Sequence, residues 1–145
     1  MGDKNSKNEF ILILDADTFV QGSIKKSRLP TWKERTGAIV GRIKTIPSSL
    51  FQKLQDIEYR LADTTRFLMK NIDSLPGNFA IYKTSLFKKI GFFDEKVLTE
   101  DYEMGIRLKK SGYNILYTDK IVAFTALPSS FMEFLRQRIR WYRGE

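Results

Sequence analysis

The chain of 145 residues is long enough for one domain with its own core, and a content of 42% hydrophobic and 13% aromatic residues predicts that it folds. The absence of cysteine and histidine excludes thiolate zinc sites, a cysteine nucleophile and a Ser-His-Asp arrangement. Because cysteine and histidine are absent, any acid–base chemistry has to use carboxylates, lysine or tyrosine. The formal net charge of +8 favours anionic partners such as nucleotide phosphates, nucleic acid or a lipid surface.

The first residues and the hydropathy pattern bear on where the protein is located. No apolar run approaches the length of a spanning helix, and the polar start "MGDKNSKNE" lacks the apolar region of a signal peptide. The absence of cysteine fits a reducing compartment, although secreted proteins can lack cysteine too. We expect one cytoplasmic domain over 1–145, with a disordered or tag-like start at 1–9, either free or at the cytoplasmic face of a membrane.

The first elements predicted in chain order are two strands and a long helix. Residues 10–14, "FILIL", have the pattern of a buried strand, and 37–46, "GAIVGRIKTI", have the pattern of a second one. After Pro47, Ser48 and Ser49 offer an N-cap for a helix. Apolar residues then repeat at helical spacing, at Leu50, Leu54, Ile57, Leu61 and Leu68.

A short strand and a short helix are predicted next. Residues 79–82 have the apolar character of a strand, and "TSLFKKIG" at 84–91 is typical of a helix of two turns. Thr84 is its expected N-cap and Gly91 its expected stop.

The last third of the chain predicts a helix, a strand and a final helix. Thr99 is the expected N-cap of the first helix, which has acidic residues in its first turn and turns Ile106 and Leu108 inward. A strand at 115–117 and a helix over about 129–143 follow. Strands and helices mixed in this order predict an α/β layered domain.

Two aspartates follow the first strand directly, in the sequence "DAD". Residues two apart in an extended segment project to the same side, so Asp15 and Asp17 can face one point beyond the strand end. Ligands of open α/β sheets bind at that edge. Two close carboxylates either raise one pKa or recruit a cation, and oxygen ligands suit magnesium or manganese. The alternative is an ordinary Asx-turn that leaves a strand.

Three further motifs follow in order: "GNFAIYKTSLFKKIGFFDE" at 77–95, "TED" at 99–101 and "QRIRW" at 137–141. With "DAD", they resemble the processive, inverting type of family-two glycosyltransferase, the group that contains cellulose, chitin, hyaluronan and poly-N-acetylglucosamine synthases. The resemblance covers nearly the whole chain from Phe10. It implies an α/β, partial GT-A fold with a mixed sheet flanked by helices, and a hexosyltransferase activity.

The resemblance also implies roles for individual residues. Asp15 would contact the nucleotide-sugar end of a UDP-sugar donor, and Asp17 would hold a divalent metal, Mn²⁺ or Mg²⁺, that bridges the donor diphosphate. Asp101 would be the general base that takes a proton from the hydroxyl of a saccharide acceptor. The other predicted substrate-binding residues are Gly77, Asn78, Thr99, Glu100, Gln137, Arg140 and Trp141.

Two of these motifs also have a purely structural interpretation. The acidic residues around Asp101 suit the N-terminus of a helix whether or not they are catalytic. The 129–143 helix could lie on a core or on a membrane surface through Phe131, Phe134, Leu135 and Ile139. Its arginines at Arg136, Arg138 and Arg143 would then face water or lipid phosphate.

The sequence departs from the family pattern at both ends. Only nine residues precede Phe10, where the family has βαβ units that bind the nucleotide base, and no membrane helices follow Trp141. Two functions therefore stay open: metal-assisted, inverting transfer of a sugar from a UDP-sugar to a growing polysaccharide, or a catalytically incompetent binding or interaction module. An open sheet edge makes a homo-oligomer a further hypothesis. A nucleic-acid-binding domain would rest on charge alone, so no nucleic acid partner is expected.

Overall fold

The computed structural model describes residues 8–72, 75–94, 97 and 99–143. Within them, six strands form one mixed sheet: β1 (Phe10–Leu14), β2 (Thr18–Val20), β3 (Thr36–Thr45), β4 (Asn71–Ile72), β5 (Phe79–Lys83) and β6 (Asn114–Thr125). The strand order is β1-β5-β3-β6-β2, and β4 also pairs with β6. Strands β3 and β6 are parallel, and the other pairs are antiparallel.

Four α-helices accompany the sheet in the described part of the chain: α1 (Leu50–Met69), α2 (Thr84–Ile90), α3 (Glu100–Lys110) and α4 (Phe131–Arg143). A short 3₁₀ turn lies at Lys26–Arg28. Among these helices, none combines the length and the apolar character that a membrane crossing requires. The mixed sheet with flanking helices confirms the predicted α/β class.

Strand β5 divides the core into two clusters, because alternate side chains of a strand point to opposite faces of the sheet. Ala80 and Tyr82 belong to one cluster, which includes buried residues of α2 and α3. Phe79 and Ile81 belong to the other, against which Tyr59 of α1 packs. The sheet therefore has a core on each face, as expected for a layered α/β domain.

Strands β3 and β6 lie close together at Gly41. The register shifts there, since Gly41 pairs with Thr118 while the next residue, Arg42, pairs with Val122. A Cβ atom at Gly41 would lie 2.7 Å from the Phe79 ring and 2.8 Å from the backbone oxygen of Ile121. Only glycine fits at this position. The close approach lets β6 continue beyond the register shift and pair with β2.

Helix α1 buries a polar face. Ser49 caps it as predicted, accepting a hydrogen bond from the backbone N–H of Gln52 at 3.2 Å. The Gln52 side chain donates to the carbonyl of Leu127 at 3.0 Å, and Gln55 donates to the carbonyl of Pro128 at 3.1 Å. Buried amides need such partners, so these bonds fix which side of α1 faces the protein.

The Asp56 carboxylate completes this inner face. It is 7% exposed, and it accepts hydrogen bonds from the Thr45 hydroxyl and from Arg60 Nε. At 100° per residue the inner face of α1 lies opposite its leucines, so the predicted apolar repeat points away from the sheet. Its members are 53–76% exposed, at Leu50, Leu54, Ile57, Leu61 and Leu68.

Two predictions about the shorter helices are wrong. Thr84 does not cap α2: Lys83 is the N-cap residue, and the Thr84 hydroxyl donates to the carbonyl of Asn8 at 2.5 Å instead. Ile106 of α3 is 38% exposed, whereas Leu108 is buried as predicted. Gly91 ends α2, and Thr99 stands at the N-cap position of α3, both as predicted.

The sequence pattern does not predict the full length of β6 or the presence of β2 and β4, because hydrogen bonding to neighbouring strands determines these features. Strand β6 runs over twelve residues, against the 115–117 predicted, because its length is fixed by β3 along one side. Strands β2 and β4 have three and two residues, too few for an alternating pattern. Strands β1 and β2 end the sheet order, and the self-association predicted from an open edge stays a prediction.

We predict that Leu54→Ser changes the free energy of unfolding by less than about 0.5 kcal/mol, because an exposed side chain loses little burial. Asp56→Ala should cost about 1–3 kcal/mol, since it leaves the Thr45 hydroxyl without its acceptor. Urea denaturation measures both, with the fully buried Leu108→Ala as a reference for core loss. A loss of about 3 kcal/mol for Leu54→Ser would mean that α1 buries its leucine face.

Candidate active site

The site is built around the carboxyl end of β1. The antiparallel register pairs Leu14 with Phe79, so Asp15, which follows β1, and Asn78, which precedes β5, come to lie side by side. The backbone N–H of Asp15 reaches the carbonyl of Asn78 at 3.5 Å. Both side chains line one cavity of about 770 Å³, a size within the usual range for small-ligand sites.

Asp17 is held by two threonines from adjacent strands. Its Oδ1 atom accepts from the hydroxyl of Thr18 at 3.3 Å and from that of Thr125 at 3.5 Å. The Thr18 hydroxyl also contacts Thr125 at 3.0 Å. The backbone N–H of Ala126 donates to the Asp17 carbonyl at 3.2 Å. The pairing of β2 with β6 therefore orients the second aspartate of "DAD" at the cavity.

The first turn of α3 brings Asp101 to the same cavity. A Cβ atom at Gly77 would lie 2.8 Å from Asp101 Oδ2, so the loop before β5 and this carboxylate are in direct contact. One turn later, a Cβ atom at Gly105 would lie 3.2 Å from the backbone nitrogen of Leu75. Glycines at both points let α3 pack closely on the loop, which sets Asp101 beside the end of β1.

The carboxylates gathered here influence one another. Burial is the largest cause that raises the pKa of Asp15. Three neighbouring carboxylates act in the same direction, those of Asp17, Asp101 and Glu100. The Arg140 guanidinium opposes them. A cation between these groups would relieve the repulsion.

A divalent metal fits this site in one manner only. Within the described ranges, no three acidic side chains gather as a metal cage. The carboxylate of Asp17 suits magnesium or manganese, which commonly bind through one or two carboxylates together with substrate phosphates. The residues present therefore fit a metal that takes some of its ligands from the protein and the others from a bound diphosphate.

Helix α4 forms the opposite wall. Gln137, Arg140 and Trp141 line the cavity, and so does Arg138. Arg138 was predicted to face water or lipid phosphate, but it forms two hydrogen bonds with Glu58 of α1, at 2.7 and 2.5 Å. The structure thus turns one arginine of α4 inward.

All residues that the sequence predicted for the site line this single cavity: Asp15, Asp17, Gly77, Asn78, Thr99, Glu100, Asp101, Gln137, Arg140 and Trp141. Two side-chain atoms in the cavity wall, Asn78 Oδ1 and Arg138 Nε, are the buried polar atoms that lack a hydrogen-bond partner among residues 8–72, 75–94, 97 and 99–143. Buried polar groups are normally paired, so the unpaired Asn78 Oδ1 atom indicates a polar ligand, while the Arg138 guanidinium is held through its Nη atoms by Glu58.

The family model for Glycosyl transferase family group 2 matches residues 10–145. The chain belongs to this family. It is 28% identical to the poly-beta-1,6-N-acetyl-D-glucosamine synthases of Staphylococcus epidermidis strain RP62A and Staphylococcus aureus strain COL, over 99% of its own length. It spans 36% of the length of these two relatives. The predicted resemblance to family-two synthases is confirmed.

A solved structure shares the fold of this glycosyltransferase domain. The crystal structure of GalNAc-T7 with UDP, GalNAc and Mn²⁺ superposes with a TM-score of 0.57 at 15% sequence identity. The match covers 82% of this chain and 28% of that protein. The predicted partial GT-A fold is confirmed, since the mixed sheet and its flanking helices match those of a GT-A enzyme.

Sequence reasoning missed the contribution of α1 to the candidate site. Glu58, Tyr59, Ala62 and Arg66 also line the cavity. Burial raises the pKa of Tyr59 and lowers that of Arg66. A usable signal was present: polar residues recur at helical spacing on the face opposite the leucines, at Gln52, Gln55, Asp56, Tyr59 and Arg66.

We predict that Asp15→Asn gains stability relative to the wild type as the pH rises. Because the pKa of Asp15 is raised in the folded protein, the native state binds more protons than the unfolded state above an ordinary aspartate pKa of about 4. Wild-type stability therefore falls as pH rises through that window, and asparagine removes the effect. Urea denaturation from acid to neutral pH measures it, with Asp119→Asn outside the cavity as control. A difference that is independent of pH would contradict the prediction.

Proposed function

We propose that this domain catalyses inverting transfer of a sugar from a UDP-sugar to a hydroxyl of a growing polysaccharide. One observation carries the proposal: the "DAD", "TED" and "QRIRW" residues, far apart in sequence, line one cavity in a chain that belongs to a glycosyltransferase family. The synthases to which it is 28% identical make poly-beta-1,6-N-acetyl-D-glucosamine by name, which supports a polysaccharide product.

The donor end of the proposed site lies at the "DAD" residues. Asp15 would contact the nucleotide-sugar, and Asp17, oriented by Thr18 and Thr125, would hold Mn²⁺ or Mg²⁺. Such a metal supplies charge compensation for the departing diphosphate. The presence of UDP and Mn²⁺ in the GalNAc-T7 structure supports this donor and this class of metal.

Asp101 is the proposed general base. The acceptor oxygen bonds to the anomeric carbon on the side opposite the UDP group, and its proton passes to the Asp101 carboxylate. The bond between that carbon and the diphosphate oxygen breaks, and its electron pair leaves with UDP. The contact with Gly77 holds Asp101 in place, while Thr99 and Glu100 shape the turn from which it projects.

The acceptor end of the proposed site uses the α4 residues and the loop before β5. The Trp141 indole offers an apolar face to the acceptor sugar ring. Arg140, on the same helix, offers a planar guanidinium to the phosphate oxygens of the donor. Gln137 and Asn78 supply amide hydrogen bonds to sugar hydroxyls, and the unpaired Asn78 Oδ1 atom supports this assignment. Gly77 lacks a Cβ atom and so leaves room for the Asp101 carboxylate at this end of the cavity.

We predict that UDP binds in the presence of Mn²⁺ and that Asp17→Ala weakens binding by at least roughly tenfold, because a metal ligand is lost. Isothermal titration calorimetry with and without Mn²⁺ measures this, and Asp119→Ala, which removes a carboxylate outside the cavity, is the matched control. A UDP affinity that depends on neither Mn²⁺ nor Asp17 would contradict the metal assignment. Metal-dependent binding without transfer to any acceptor would instead favour the incompetent binding module.

We further propose that α1 and α4 together contact a lipid surface. The helices lie side by side, since Phe51 of α1 contacts the rings of Phe131 and Phe134, with centroids at 6.4 and 5.7 Å. Besides the α1 leucines, α4 exposes apolar side chains, each at least 38% accessible, at Phe131, Met132, Leu135, Ile139 and Tyr142. Two adjacent apolar stripes form a face wider than either helix offers alone.

The charges around this face favour an anionic lipid surface over a second copy of the chain. Exposed cations border the stripes at Lys53, Arg136 and Arg143, whereas the acidic Asp56 is buried against Thr45 and Glu58 pairs with Arg138. A second copy would bring like charges together, while anionic headgroups match them.

We predict that the protein binds vesicles of phosphatidylcholine with phosphatidylglycerol more tightly than vesicles of phosphatidylcholine alone. Leu54→Asp combined with Leu61→Asp should abolish binding, because both leucines belong to the apolar stripe. Vesicle co-sedimentation measures this, with the exposed Phe19→Asp on β2 as control. Absence of vesicle binding, or a dimer that dissociates with the same two substitutions, would contradict the proposal.

A further inference from the structure

The pair formed by Glu58 and Arg138 joins the two helices at the edge of the cavity. Arg138 Nη1 and Nη2 each donate to a different oxygen of Glu58, at 2.7 and 2.5 Å. Only 21% of the Arg138 side chain is exposed, against 55% for Glu58. A bidentate pair fixes both the position and the plane of the guanidinium.

The same guanidinium lies between two aromatic rings of its own helix. Its central carbon is 4.7 Å from the centre of the Phe134 ring and 4.5 Å from that of Trp141. Arg138 therefore covers one face of the Trp141 indole. Trp141 remains 39% exposed and lines the cavity, so part of its surface is open to a ligand.

Helix α4 has few other anchors that could fix its rotation. None of its residues is fully buried, and its ring contacts with α1 pass through Phe51 alone in the described part of the chain. A helix that rests on an apolar contact can roll, because such contacts are not directional. The pair with Glu58 supplies a directional constraint on the side of α4 that faces the cavity.

We propose that Arg138, held by Glu58, is a positioning residue that orients the Trp141 indole toward the acceptor sugar. Glu58 fixes the guanidinium, and the guanidinium stacks on one face of the indole so that the opposite face is presented to the cavity. This inference rests on the proposed function, in which Trp141 meets the acceptor. Lysine cannot replace Arg138, because an ammonium group offers neither two parallel donors nor a flat surface.

The orientation of Trp141 can be measured without any enzyme activity. With 5-fluorotryptophan incorporated, fluorine NMR gives separate resonances for the two tryptophans of the chain, Trp32 and Trp141, assigned with Trp141→Phe. We expect Arg138→Lys to shift and broaden the Trp141 resonance and to leave that of Trp32 in place. The matched control, Arg136→Lys, alters another arginine of α4 and should move neither resonance.

A second variant keeps the test decisive if Arg138→Lys fails to fold. Glu58→Gln removes the charge from the α1 side, leaves Arg138 in place, and should move the Trp141 resonance in the same way. A Trp141 resonance that responds to neither variant, or that responds equally to Arg136→Lys, would overturn the inference.

Kinetics separate positioning from a general structural effect. We expect Arg138→Lys to raise the acceptor KM about fivefold, the size of a lost stacking contact, with kcat within about twofold and UDP affinity unchanged. A parallel loss of UDP affinity would overturn the positioning role. If no acceptor is used by the wild type, the proposed function fails, while the NMR result still decides whether Arg138 orients Trp141.

Discussion

Helix α1 turns Gln52, Gln55 and Asp56 toward the protein, and each of these groups needs a hydrogen-bond partner where water is excluded. The carbonyls of Leu127 and Pro128 and the hydroxyl of Thr45 meet that requirement. Because both carbonyls lie between β6 and α4, the bonds tie α1 to the segment that leads into α4. The rotation of α1 then decides two further features: its cavity-lining residues face the site, and its leucines face outward.

The cavity places opposite charges on opposite walls. Carboxylates from the end of β1 and the start of α3 line it together with arginines carried by α1 and α4, and burial together with the neighbouring carboxylates raises the pKa of Asp15. In the proposed function, the arginines contact the phosphorylated donor, while the carboxylates hold a metal or accept a proton. Sugar transfer from a nucleotide donor needs both functions at one place.

The sequence predicted the elements whose patterns are local. Strand β1, strand β3 and helix α1 were recognisable from apolar runs and from the Ser49 cap, and the ordered motifs identified residues that the fold brings to one cavity. The remaining features depend on tertiary pairing. The length of β6 is set by β3, and the Thr84 hydroxyl finds a carbonyl instead of capping α2. The inward turn of Arg138 depends on Glu58, eighty residues earlier in the chain, which no local pattern in α4 contains.

In the proposed mechanism, Asp101 removes the acceptor proton during sugar transfer. The most direct measurement compares UDP release from a UDP-sugar, with Mn²⁺ and a saccharide acceptor, for the wild type, Asp101→Asn and the control Asp119→Asn. We expect Asp101→Asn to bind UDP with unchanged affinity but to transfer sugar at least roughly 100-fold more slowly, while the control is unaffected. Transfer by Asp101→Asn at the wild-type rate would show that Asp101 is not the general base.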